Sequence, residues 1–91
     1  MEFQYPMGNQ LTLIDKRTNG QVIIQVSPTM TLDEVTQILK EYGIIRPGET
    51  VTYGRIREDG TFQALNTGVV EDLLALQTRG ERIAFITLRL G

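Results

Sequence analysis

A chain of 91 residues with neither cysteine nor histidine has no disulfide, no Ser-His or Cys-His nucleophile, no imidazole base and no zinc site of the usual kind. Its 41% hydrophobic and 22% charged residues fit one soluble domain with a single modest core. The net charge of −2, with basic residues scattered along the chain, argues against nucleic acid as a partner.

From the N-terminus, residues 1–8 read as a flexible arm. Met1-Glu2-Phe3-Gln4-Tyr5 lacks the basic-then-apolar order of a secretory signal. No run of about 18 apolar residues occurs, so no membrane span is expected, and the cytoplasm is the expected location. Leu11 to Ile14 alternates apolar and polar at the period of a half-buried strand. Asp15 to Gly20 is polar and ends in Asn19-Gly20, a strong short hairpin signal. Val22 to Val26, rich in β-branched residues, predicts the second strand, and Ser27-Pro28 ends it.

Thr31 and Glu34 form a Thr-x-x-Glu capping box, with Asp33 and Glu34 at the positive end of the helix dipole. Val35, Ile38, Leu39 and Tyr42 recur on one helical face, and Gly43 supplies the stop. After a Pro47-Gly48 turn, Thr50 to Arg57 reads as a strand. Glu58-Asp59-Gly60 then turns into a further strand over residues 61–65. Asn66 or Thr67 is placed to cap a short second helix over residues 69–76, and Gly80 breaks it. The closing strand begins at Glu81 or Arg82 and runs through Ala84-Phe85-Ile86-Thr87-Leu88-Arg89-Leu90-Gly91. The carboxylate pairs Asp33-Glu34, Glu58-Asp59 and Glu71-Asp72 each fall at a helix start or turn, where capping and solvation explain them. No catalytic residue, cofactor site or metal site is expected, and the chain does not read as an enzyme.

The predicted order, strand-strand-helix-strand-strand-helix-strand, is the layout of the β-grasp fold: α+β, a mixed sheet of four to five strands, one main helix and a second short one, all within residues 9–91. Strand alternation predicts that Leu11, Leu13, Val22, Ile24, Val26, Ile86 and Leu88 face the helix, under Val35, Ile38 and Leu39. The opposite face then receives Ile14, Ile23, Phe85 and Thr87, an apolar cluster that predicts a partner-binding face. Arg55, Arg57 and Arg89 are expected at its rim.

Two segments resemble ubiquitin. Val22-x-Ile24-x-Val26-Ser27-Pro28 followed by Thr31-Leu32-Asp33-Glu34-Val35 is similar to its second strand and capped helix. Leu88-Arg89-Leu90-Gly91 is similar to the Leu-Arg-Leu tail before its terminal glycines, although Leu90 here precedes a single glycine. The resemblance implies a ubiquitin-like protein modifier of a prokaryotic conjugation system. Leu88, Arg89, Leu90 and Gly91 would form its conjugation tail, activated through Gly91. Its partners would be an activating enzyme, a conjugating enzyme and a processing protease, each meeting the chain as a monomer. The alternative is a non-conjugated β-grasp adaptor, or small subunit, that binds a larger enzyme or a secretion complex through its sheet face.

Overall fold

The computed structural model describes residues 9–89; the expected arm, residues 1–8, and the last two tail residues, Leu90 and Gly91, lie outside them. The elements are β1 (Asn9–Asp15), β2 (Gly20–Val26), α1 (Leu32–Glu41), β3 (Glu49–Ile56), β4 (Phe62–Ala64), α2 (Val70–Thr78) and β5 (Arg82–Arg89). They form one five-stranded sheet in the order β2-β1-β5-β3-β4. β1 and β5 run parallel at its centre, and the other neighbours are antiparallel. This is the α+β, β-grasp arrangement expected from the sequence, with one main helix and a shorter second one. No helix among the described residues is long and apolar enough to cross a membrane.

The local signals act through specific atoms. In the β1–β2 turn, Asn19 takes a left-handed conformation with φ of 62°, while Gly20 already belongs to β2 opposite Asp15. The expected capping box forms: Thr31 Oγ1 accepts from the Glu34 amide at 3.2 Å, and Glu34 Oε1 accepts from the Thr31 amide at 2.9 Å. α1 ends at Glu41, so Tyr42, expected on its apolar stripe, becomes the exposed C-cap instead.

α2 departs from expectation at its start. Val69 is the N-cap and offers no side-chain hydrogen bond. Thr67 donates its hydroxyl to the Asp72 carboxylate at 2.6 Å and accepts from the Val69 amide at 3.3 Å, so it engages the N-cap residue and an acidic side chain but no amide inside the helix. The helix starts satisfy each other instead. The Leu32 amide donates to the Gly68 carbonyl at 2.9 Å, and the Val70 amide donates to the Met30 carbonyl at 3.0 Å. Two otherwise orphaned N–H groups find partners in this way.

The core lies between the sheet and the two helices. Leu11, Leu13, Ile24, Val26, Tyr53, Ile83 and Phe85 meet Leu32, Val35, Leu39, Val70 and Leu73, with Ile45 inserted from the loop after α1. The Tyr53 and Phe85 rings tilt at 55° with centroids 6.4 Å apart, an offset geometry favourable for aromatic pairs. Asp15, expected in a polar turn, is instead the one buried charged residue among those described. Arg17 donates to it from its backbone amide at 2.9 Å and from two side-chain nitrogens at 3.1 and 3.0 Å. The same guanidinium reaches the Ile44 carbonyl at 2.7 Å, so the β1–β2 turn is tied to the loop that follows α1.

Candidate partner-binding face

Alternation along each strand assigns the side of the sheet away from the helices. Register places Thr12 and Ile14 of β1 beside Ile23 and Gln21 of β2, and Ile14 beside Ala84 of β5. Arg82, Ala84, Ile86 and Leu88 then stand opposite Ile56, Gly54, Thr52 and Thr50 of β3. Phe62 of β4, opposite Ile56, lays its ring over Gly54. A Cβ at Gly54 would collide with the Gln63 carbonyl oxygen and sit 2.6 Å from Phe62 Cζ, so only glycine admits both the β4 backbone and the ring. Ala84, next to Gly54 in register, is fully buried. The middle of this face is thus closed by one aromatic ring, while its two ends stay open.

Four residues were expected on this face. Ile14 and Ile23 are there, as diagonal neighbours on adjacent strands, and Ile23 is 57% exposed. Phe85 and Thr87 are not. Phe85 is fully buried in the core, and Thr87 shares its side of β5. Ile86 and Leu88, expected in the core, take their places and are 38% and 66% exposed. The pairings Leu13 with Ile83 and Tyr53 with Phe85 fix the phase of β5. A one-residue difference in phase moves every side chain of a strand to the other face.

The charges differ from expectation too. Arg55 lies on the helix side, where it donates to Gln63 Oε1 at 2.8 Å and pairs with Glu81. Arg57 enters the β3–β4 turn, its amide donating to the Thr61 carbonyl. Arg89 stands opposite Glu49, on the helix-side phase of β5. The cations that border the open face are Lys16 and Arg82, which the sequence reading did not single out. Once Ala84 and Ile86 are known to face outward, the period of two places Arg82 with them.

Lys16 and Arg82 border a shallow groove of about 350 Å³ floored by Ile14, Ile56 and Gln21. Among the described residues, no carboxylate lines the groove and neither cation forms an ion pair. Within a chain of net charge −2, this is a local excess of positive charge beside two isoleucines.

A second cleft, of about 750 Å³, lies between the β3–β4 turn and the start of β5 and holds Arg55, Arg57, Arg79 and Arg82 with Glu58, Asp59 and Glu81. Two of its three acids, Asp59 and Glu81, are already engaged. Hydrogen bonds from Arg55, with further support from Arg79, hold the Glu81 carboxyl below its ordinary range. Thr61 does the same for Asp59 through its hydroxyl at 2.7 Å and its amide at 3.0 Å. Tyr53 is pushed up to about 12, chiefly by burial, so its hydroxyl stays protonated beside Thr36 Oγ1 at 2.9 Å. Among the described residues, no three Asp or Glu side chains gather as a metal site would require. No family model and no curated protein matches the chain. Its functional reading therefore rests on this geometry and on the resemblance carried by its two short motifs.

Proposed function

We propose that this protein is a non-catalytic β-grasp interaction module of the cytoplasm. It docks a larger protein on the open face of its sheet, without nucleic acid or membrane as a partner. The observation that carries this reading is the groove between Lys16 and Arg82, with Ile14 and Ile56 in its floor and no carboxylate among the described residues that line it. Its occupant is a partner segment that presents apolar side chains beside Asp or Glu. The apolar contact supplies affinity, and the opposed charges supply orientation and encounter rate.

Photo-crosslinking in the native cell tests this, with the reactive group at Gln21 on the open face or at Gln37 on the exposed side of α1. A single protein other than a second copy of this chain should be captured from Gln21 and not from Gln37. Binding to that protein, once purified, should fall roughly tenfold or more in K16E/R82E, as expected when both charged contacts of a site are reversed. Equal capture from Gln37, or undiminished binding by K16E/R82E, rejects the reading.

A second reading is the ubiquitin-like modifier, activated by one enzyme, passed to a conjugating enzyme and trimmed by a protease. The central position of β5 supports it, since this strand leads Leu88 and Arg89 outward at the edge of the described residues. Within those residues, however, Leu88 and Arg89 are paired with Thr50 and Glu49, and Thr50 donates its hydroxyl to the Leu88 carbonyl at 3.3 Å. An enzyme that reads them as an extended tail must first peel them from β3. Incubation with a candidate activating enzyme, ATP and magnesium should give a covalent adduct by intact mass that is lost when Gly91 is deleted. Absence of an adduct with an enzyme of proven activity removes this reading.

A further inference from the structure

Among the described residues, β2 lies at one outer end of the sheet and has a strand partner on one side only. Outer strands are normally protected from strand addition by charge, proline or a bulge. Gly20-Gln21-Val22-Ile23-Ile24-Gln25-Val26 has neither charge nor proline, and its register with β1 is one-to-one throughout, without a bulge.

Hydrogen bonds on β1 decide which backbone groups of β2 point outward. The Lys16 amide donates to the Phe85 carbonyl of β5. Gln77 of α2 accepts from the Thr12 amide and donates to the Gln10 carbonyl, both at 2.9 Å. Gln10, Thr12 and Lys16 therefore turn away from β2, and Leu11 and Leu13 turn toward it. Their partners Ile24 and Val22 point back to β1. Gln21, Ile23 and Gln25 direct one N–H and one C=O each outward, six groups on three residues.

These three residues are self-complementary. Placed antiparallel about a two-fold axis at Ile23, Gln21 faces Gln25 of a second copy, Ile23 faces Ile23, and Gln25 faces Gln21. Every outward N–H and C=O of both strands is then used. A slide of two residues either way leaves one of the three unpaired, and a slide of one reverses the faces. On the open side the register sets an Ile–Ile pair between two Gln–Gln pairs, with no like charges opposed. It also covers Ile23, 57% exposed in the single chain.

We propose that two copies of this chain join β2 to β2 about Ile23, merging two five-stranded sheets into one of ten with a continuous open face. This replaces the monomer expected from the sequence, and it sets Gln21, which also lines the groove, beside the second copy. Sedimentation of the full chain from about 1 to about 200 μM, a range that spans affinities typical of modest interfaces, should show twice the chain mass at the upper end. Gln21 and Gln25 are exposed, so both of the following variants should keep the wild-type circular dichroism and Tm. Q21K/Q25K sets lysine against lysine at two positions across the axis and should shift dissociation at least tenfold toward the single chain. Q21E/Q25K sets glutamate against lysine at the same positions and should remain paired. A wild-type chain that is single throughout the range, or two variants with the same mass, overturns the proposal.

Discussion

The two faces of the sheet are built from the same strands and are both rich in apolar side chains, yet they have opposite fates. On one side Leu11, Leu13, Ile24, Ile83 and Phe85 disappear beneath two helices. On the other, Ile23, Ile86 and Leu88 remain exposed, and among the described residues Phe62 lies across Gly54. In a sheet with helices on one side, side-chain apolarity does not decide what becomes core; the helices do. An apolar side chain on the uncovered side contributes little to folding and is available for contact.

Substitutions at neighbouring positions of β5 separate the faces most sharply. Phe85→Ala should lower stability by about 3–5 kcal/mol, the range for emptying an aromatic site in a core. Ile86→Ala, one residue along, should cost about 1 kcal/mol or less. Urea denaturation of the two variants reads the difference directly, and comparable losses would mean that β5 has the opposite phase. At the closed centre of the open face, Gly54→Ala should cost about 1–3 kcal/mol or more, because the new methyl collides with the Gln63 carbonyl of β4 as well as with the Phe62 ring. Phe62→Ala made in the same background should not restore stability, because the Gln63 carbonyl still blocks the methyl, as thermal melts of the single and double variants would show.

Asp15 tests the charged margin of the helix side. Burial alone would raise its carboxyl, but the hydrogen bonds from Arg17 outweigh burial and hold it below the ordinary 3.8. A carboxyl lowered in the folded state stabilises above its unfolded value and loses that contribution as pH falls through its folded value. Asp15→Asn should therefore cost about 1–3 kcal/mol at pH 7. The gap from wild type should narrow below about pH 4, as urea midpoints at pH 7 and pH 3 would reveal. The smallest effect on folding belongs to Leu88→Ser. It should change stability by no more than about 0.5 kcal/mol, and a Tm shift of many degrees would show that Leu88 is covered.

The parts legible in the sequence were those coded by neighbours in the chain. α1 was announced by Thr31, Glu34 and its apolar stripe, and all but the last member of that stripe fell on the helix. β2 alternates cleanly, so Ile24 and Val26 were assigned inward and Ile23 outward as found. β5 is different, because Ile83-Ala84-Phe85-Ile86 is apolar at both phases of a period of two. Only its pairing with Leu13 and Tyr53 chooses between them, and no short stretch of sequence contains that information. The open-face cations Lys16 and Arg82 were missed for the same reason, since their placement follows from the phase of β5 and from the close of β1. Asp15 was misread because its partner stands two residues on, across a turn, where acid and base together look like ordinary solvated loop.

Gln77 gives the sheet an unusual dependency. The stretch of β1 before Leu13 has no β5 residue beside it, and the amide of this helical side chain fills the place of a missing strand. The slowest-exchanging amides of a sheet normally belong to its central strands. Thr12 sits on such a strand, but its proton is guarded by α2. It should exchange with deuterium at the rate at which α2 opens, whereas Leu13 next to it keeps the rate of the sheet. Two adjacent amides on one strand would then report two different cooperative units, and the boundary between them would run through the backbone of β1.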